Sequence, residues 1–230
     1  MSAKYQTRDL VLQGDVIYEG RIRTGENTHR VQDYVYATRL GLVNYNQDNV
    51  SVVALRASYQ PLVGDIVVGE VIDIELGEWS VEIGAQESAV LTIQEAVDRP
   101  YSTDFVMTNV LTVGDTIVAK IIDFDRKRAP ILSILGANLG KVNNGFILKL
   151  NPAKIPRLIG KKGSMINMII KETGCRVSIG QNGKILVTGQ NRDRELMVEK
   201  VINLIEEQAH ISGLTNRTQE YLKKMKEELR

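Results

Sequence analysis

Cysteine and histidine are almost missing from this chain, which has one of the first (Cys175) and two of the second (His29 and His210) in 230 residues. A single thiol forbids an internal disulfide. With neither histidine at ligand spacing, the usual zinc and iron–sulfur arrangements are also removed, and no metal or other cofactor is expected. Cys175 lies between Gly174 and a strand-like run, where a small buried apolar residue is expected rather than a reactive thiol. Aromatic residues make up only 5% of the chain, with one tryptophan, Trp79. No apolar run is long enough to span a bilayer, and residues 1–14 contain Lys4, Arg8 and Asp9 without an apolar core, so neither a membrane span nor an export signal is expected. These absences point to an intracellular, cytoplasmic protein with no membrane partner.

What is present is an ordinary globular composition, 43% hydrophobic and 25% charged, in a chain long enough for two or three small domains. The formal net charge of +1 conceals a strong asymmetry. Residues 1–59 carry seven basic and six acidic side chains, residues 60–140 five and thirteen, and residues 141–230 seventeen and nine, for nets of +1, −8 and +8. A polyanion is attracted to the last third and repelled by most of the middle.

The basic third contains Ile159-Gly160-Lys161-Lys162-Gly163-Ser164-Met165-Ile166, a two-lysine Gly-x-x-Gly turn directly before an amphipathic helix. Glycines let the main chain approach a sugar-phosphate, the lysines supply counter-charge, and the amides and positive dipole end of a helix favour a phosphate. Apolar Ile166, Ile169 and Ile170 follow at helical spacing, then a Thr173-Gly174 stop and the alternating run Arg176–Ile179. Before the turn, residues 145–150 read as a strand, Asn151-Pro152 as a cap with a first-turn proline, and Ile155, Leu158 and Ile159 as a short helix in which Pro156 marks the start. After it come a Gly180-Gln181-Asn182-Gly183 hairpin, a strand over 184–188 and a helix from near Asn191 with Met197, Val201, Leu204 and Ile205 on one face. No Gly-Lys-Ser/Thr follows a glycine at the spacing of a Walker loop. The β-α-α-β-β-α order and this loop resemble the KH RNA-binding module, whose Gly-x-x-Gly loop clamps about four nucleotides of single strand. The resemblance assigns RNA contact to Ile159, Gly160, Lys161, Lys162, Gly163 and Ser164.

The acidic middle opens on Val63-Gly64-Asp65 and a β-branched run, a pattern that recurs at Val113-Gly114-Asp115 and more weakly at Gly14-Asp15. Gly-Asp makes a turn and the β-branched run a strand, so two strands of similar grammar are expected, not a duplicated domain. With residues 78–83, 88–92 and 131–134 they give five short strands, the count of a small closed barrel. The order resembles the S1-motif form of the OB barrel, which usually presents aromatics on its second and third strands; here only Trp79 is available. Alternation sets Trp79 with Val81 and Ile83, which favours core packing over base stacking. Arg126, Lys127 and Arg128, in the loop between the fourth and fifth strands, are the barrel's candidate RNA contact, with a solvated turn as the other reading.

Residues 16–23, 32–39 and 50–55 read as strands of a small N-terminal β unit, broken at Thr24–Asn27, Leu40-Gly41 and Gln47–Asn49. Residues 215–230 read as an amphipathic helix with Tyr221, Leu222, Met225 and Leu229 on one side, free to pack on the KH unit or to serve a partner. A β domain (1–59), Tyr59-x-Pro61-x-x-Gly64-Asp65 opening an S1 barrel (60–140), a KH domain (141–214) and a terminal helix (215–230) together resemble the KH-bearing RNA-binding cap subunits of the archaeal exosome. Thr24-Gly25-Glu26-Asn27-Thr28-His29 resembles the glycine-threonine hairpin of that family's first domain. The resemblance implies docking of 1–59 on a hexameric ring of phosphorolytic ribonuclease subunits, three caps per complex, and delivery of single-stranded RNA to the pore in 3'-5' degradation.

Other classes fit less well. NusA-like transcription factors, which bind nascent RNA, join S1 to two KH modules, and no second Gly-x-x-Gly unit follows Gln208. Polynucleotide phosphorylase places both modules behind a catalytic core for which there is no room. Asp123 and Asp125 could hold a divalent ion, but no further ligand stands near them in sequence, so a solvated strand end and a subunit without catalytic residues are expected.

Overall fold

The computed structural model describes residues 2–46, 48–55, 58–98, 105–125, 127–209 and 213–228. The chain divides into two compact units, Met1–Ala57 and Ser58–Arg230. The first is all β. Its strands are β1 (Ser2–Ala3), β2 (Leu10–Val11), β3 (Val16–Glu19), β4 (Arg23–Thr24), β5 (Thr28–Val31), β6 (Tyr34–Ala37), β7 (Gly41–Asn46) and β8 (Asn49–Ala54). They form two sheets, ordered β1-β3-β6-β5 and β2-β7-β8-β4. Val11, Ile17, Val35, Val43, Val50 and Val52 make one buried cluster drawn from both sheets.

Two expectations for this unit need correction. The break at Leu40-Gly41 is the start of β7, because a side chain at Gly41 would collide with the Val53 carbonyl of β8; the glycine permits close strand approach and does not end a strand. Residues 24–29 do not close a hairpin. β4 pairs in parallel with β8 while β5 pairs with β6, so the segment crosses between sheets. The Gly25 amide donates to the Val50 carbonyl, Asn27 Nδ2 to the Val52 carbonyl and Thr28 Oγ1 to the Gly25 carbonyl, which fixes the crossing.

The second unit begins with β9 (Ile66–Glu75), β10 (Glu78–Glu82), β11 (Ala89–Thr92), the single turn α1 (Ile93–Ala96), β12 (Thr116–Asp123), β13 (Ile131–Ser133) and β14 (Gly140–Lys141). β13 pairs with β11 on one side and β12 on the other, so the five expected strands close into a barrel. The short β14 is an addition along β12, with Lys141 Nζ 2.6 Å from an Asp115 carboxylate oxygen. Trp79 is fully buried inside the barrel and its indole N–H donates to the Leu111 carbonyl at 3.1 Å.

The three Gly-Asp echoes are one structural device. Gly14, Gly64 and Gly114 have φ of 92°, 97° and 91°. The following carboxylates accept from the amides of Leu12, Leu62 and Thr112 at 2.8, 3.2 and 2.8 Å. Gly64 and Asp65 then pair with Ile121 of β12, while Gly114 and Asp115 pair with Val71 of β9. Each central barrel strand is thus anchored by the turn that opens the other. Tyr59 joins the barrel core and its hydroxyl donates to Asp65 at 2.7 Å; burial first, then the adjacent carboxylate, raises the phenol's pKa.

The rest of this unit is β15 (Phe146–Lys149), α2 (Ile155–Ile159), α3 (Ser164–Thr173), β16 (Arg176–Ile179), β17 (Lys184–Thr188), α4 (Arg192–Gln208) and α5 (Leu214–Glu228). The sheet order is β15-β17-β16 and the helices cover one face. Asn151 caps a single 3-10 turn at 152–154 that leads into α2, with Pro156 at its first turn. Asn191 caps α4 by accepting from the Arg194 amide at 3.1 Å. The buried stripe of α4 is Met197, Val198, Val201, Ile202 and Ile205, with Leu204 half-buried at its margin. α5 packs on this module: Leu214, Leu222 and Met225 belong to its core, and Lys226 reaches Glu172 of α3 at 3.0 Å. Leu229 lies outside the described residues.

The barrel and the KH module meet through the 180–183 turn. Asn182 is buried; its Nδ2 donates to the carbonyls of Val68 and Ile83 at 2.8 Å, and its Oδ1 accepts from the Val68 amide at 3.3 Å. The Gln181 amide donates to the Ile66 carbonyl at 2.8 Å, and the Ile66 amide donates back to Gln181 Oε1 at 2.9 Å. Lys184 Nζ donates to the Glu82 carbonyl, and desolvation at this seam lowers its pKa. Val68, Val118 and Leu186 add a small shared apolar cluster. Among the described residues no helix is long and apolar enough to cross a membrane.

Candidate nucleic-acid interface

α2 ends at Gly160 with φ 74° and ψ 175°, an arrangement that only glycine adopts without strain. A Cβ there would lie 2.8 Å from both the Cβ and the amide nitrogen of Met165, a residue only 2% exposed. The loop therefore lies directly on the first turn of α3, held by Gly160 N–H donating to the Pro156 carbonyl at 2.9 Å and Gly163 N–H donating to the Gly160 carbonyl at 3.2 Å. Gly163 is left-handed, with φ 78° and ψ 9°; the nearest atom to a Cβ at this site is on Asn167 at 3.4 Å, so conformation and not space selects glycine. Lys162 adopts φ 53° and ψ 33° between them.

The result is a tight protrusion. Lys161, Lys162 and Ser164 are exposed, Gly160 and Gly163 are half-buried, and Ile159 packs against the core. No side chain caps the start of the ten-residue helix α3, so its first amides open beside the two lysines. All six residues assigned from the sequence thus form one continuous surface. The anchor beneath them is Leu158, Met165 and Ile169, with Ile166 and Ile170 half-buried at its edge.

The barrel loop forms a separate turn, closed by the Arg128 amide donating to the Asp125 carbonyl at 2.7 Å. Lys127 and Arg128 are exposed; Arg126 lies outside the described residues. Along β9 and β10 the register pairs Glu70 with Glu82, Asp73 with Ser80 and Glu75 with Glu78. These side chains alternate with buried Val81 and Trp79, so the barrel's second strand presents carboxylates where an aromatic platform would be needed. His29 and Asp123 are exposed on separate strands, His210 lies outside the described residues, and among the described residues no group of three or more His, Cys, Asp or Glu is placed to hold a metal ion. Cys175 is 1% exposed and burial pushes its thiol upward, which suits a packing role.

Two features escaped the sequence reading. Arg192 stacks over Phe146 at 4.9 Å, joining the start of α4 to the first KH strand. The second Gly-x-x-Gly, at 180–183, turned toward the barrel instead of toward solvent. Its available signal was Asn182, a fully polar residue next to a strongly apolar strand.

Residues 146–207 match the KH domain family model, and residues 58–123 match the model of the Rrp4 S1 domain. The exosome complex component Rrp4 of Thermofilum pendens is 37% identical over 219 residues, 94% of this chain and 92% of that one. The Nitrosopumilus maritimus protein of the same name is 36% identical over 219 residues, covering 94% and 96%. That of Methanobrevibacter smithii is 35% identical over 217 residues, covering 94% and 72%. A crystal structure described as that of an exosome complex RNA-binding protein superposes with a TM-score of 0.70 at 34% identity, over 76% of this chain and all of the other. With this similarity running along nearly its whole length, the chain belongs to the Rrp4 family of exosome components.

Proposed function

We propose that this chain is the RNA-binding cap subunit of an exosome-type complex in the cytoplasm, gripping single-stranded RNA without cutting it and passing it to a ribonuclease ring. The observation that carries this reading is the Gly160–Gly163 loop: two glycines hold two exposed lysines over an uncapped helix start, in a chain whose family is named for the exosome. The backbone amides and Lys161 and Lys162 take phosphates, Gly160 and Gly163 admit the sugar-phosphate at close range, Ser164 offers a hydroxyl, and Ile159 supplies apolar contact for a base. Lys127 and Arg128, with Arg126, are a secondary contact near the pore. The first unit docks on a hexameric ring, three copies per complex. The acidic strand face keeps RNA off most of the barrel and confines it to the KH loop and the basic turn.

The purified chain is expected to bind single-stranded RNA but neither shorten nor lengthen it, with or without phosphate and magnesium. Degradation that follows the monomer through chromatography and disappears on mutating Asp123 or Asp125 would overturn the non-catalytic assignment. The transcription-factor alternative has no supporting feature: one KH match ends at residue 207, and the helix that follows packs on that same module.

A further inference from the structure

The exposed residues of α3 form one stripe. Ser164, Asn167 and Lys171 recur at helical spacing and are all exposed, while Met165, Ile169 and Thr173 turn into the core. The stripe begins at the Gly160–Gly163 loop, where the Asn167 side chain lies 3.4 Å from the place of a Cβ on Gly163. Lys171 stands about 10 Å further along the helix axis than Ser164. On α5, Lys223 and Lys226 are exposed at a spacing that sets them on one flank, and Lys226 Nζ reaches Glu172 of α3 at 3.0 Å. The Glu172 carboxyl is held below the usual carboxylate range first by that hydrogen bond, and further by the charges of Lys226, Lys171 and Lys223 around it.

Three lysines thus share one carboxylate. The helix dipoles favour Lys171 and Lys226, each in the last turn of its helix, but Lys223 stands before the last turn of α5 and repels its neighbour Lys226. An external anion bound across the group relieves this excess. Its place in the fold selects the anion. Ile185 and Val187 of β17 turn to the helical core and Leu186 turns to Val68 and Val118 of the barrel, so the helices and the acidic barrel lie on opposite faces of the KH sheet. On the barrel side Glu82 and Glu70 stand near Lys184. A polyanion that leaves the loop over Ser164, Asn167 and Lys171 meets a hydroxyl, an amide and an ammonium instead.

We infer that Lys171, Lys223 and Lys226 form a second phosphate-binding site for single-stranded RNA, taking the backbone where it leaves the Gly160–Gly163 loop along α3. The inference rests on the RNA-binding function proposed above and gives it a length requirement. A strand of about four nucleotides fills a loop of this type, and only a longer one reaches α5. The terminal helix then packs on the KH core through Leu222 and Met225 and extends its RNA surface through Lys223 and Lys226.

The test uses the full chain alone with oligouridylates of about four and about twelve nucleotides. Lys171→Gln with Lys223→Gln keeps helix propensity and leaves the Lys226–Glu172 pair in place. This variant is expected to bind the longer RNA at least about fivefold more weakly, with a log-log salt slope flatter by about 1.4, about 0.7 for each of two lost phosphate contacts. Its affinity for the shorter RNA and its melting temperature are expected to stay at wild-type values. Glu172→Gln removes the competing carboxylate and is expected to bind the longer RNA about threefold more tightly. Binding of the longer RNA by the lysine variant within about twofold of wild type, at an unchanged slope, overturns the site and leaves the loop assignment standing. If that variant instead loses attachment to the ribonuclease ring, the lysines serve a protein partner. Equal losses on both RNAs also overturn the site, because the lysines would then act through the loop. Glu172→Gln binding no tighter than wild type removes Lys226 from it. Failure of the wild-type chain to bind either RNA overturns both the site and the function on which it rests.

Discussion

At Gly160 a methyl group would meet Met165 at 2.8 Å and would have to be carried at φ 74°, whereas at Gly163 it would meet only an ordinary contact at φ 78°. Conformational cost alone puts Gly163→Ala at about 1–2 kcal/mol. Gly160→Ala adds overlap with a buried residue and is expected to cost more. Urea denaturation of both variants checks the order; equal losses would mean that the loop does not rest on α3 as described. Asn182 presents the same logic for a polar residue. Asn182→Ala strands the Val68 amide and two carbonyls at the barrel–KH seam, at about 1–3 kcal/mol for each group left unpaired. It is expected to destabilise the second unit and broaden its unfolding transition, with Gln181, Lys184 and a small apolar cluster left at the seam.

At the scale of elements, the sequence was most informative where periodicity and punctuation agree. The KH strands and α3 stand where alternation, Asn151-Pro152 and Thr173-Gly174 placed them, and the five barrel strands follow the Gly-Asp turns. It was least informative in the first unit, where strands of two to six residues are too short for a period to show. β7 was hidden for this reason, and Gly41 looked like a break. Within the candidate site the clamp was readable because its glycines, lysines and helix are contiguous. The seam was not, because its partners are separated by 99 to 115 residues. The terminal helix left two readings open that only packing resolves. Leu222→Ala, fully buried between α5 and the KH helices, is expected to cost about 2–5 kcal/mol by urea denaturation. The Lys226–Glu172 pair fastens the same helix. Lys226 holds the Glu172 carboxyl below the usual carboxylate range, so its contribution is present above the unfolded value and lost as pH falls through the folded one. The pair is partly exposed and small, about 1 kcal/mol or less. The stability gap between wild type and Lys226→Ala is therefore expected to close as pH falls from about 6 to about 3.

For the whole molecule, the segment charges follow the proposed division of labour. The +8 third contains the Gly160–Gly163 loop, the −8 barrel meets that third through the Asn182 hydrogen bonds, and the first unit is nearly neutral. A cap that only raises the local concentration of RNA adds binding without adding chemistry. The decisive measurement is the rate of single-stranded RNA degradation by the reconstituted ring, at limiting and at saturating RNA, with the wild-type chain or with Lys161→Asp/Lys162→Asp. The wild-type chain is expected to accelerate degradation far more at limiting RNA than at saturation. The double variant is expected to stay attached, lose that acceleration, and flatten the salt dependence of RNA binding by about 0.7 in log-log slope for each phosphate that is no longer neutralised. Acceleration by the double variant equal to that of wild type, with an unchanged salt slope, would contradict the assignment of the Gly160–Gly163 loop as the RNA clamp.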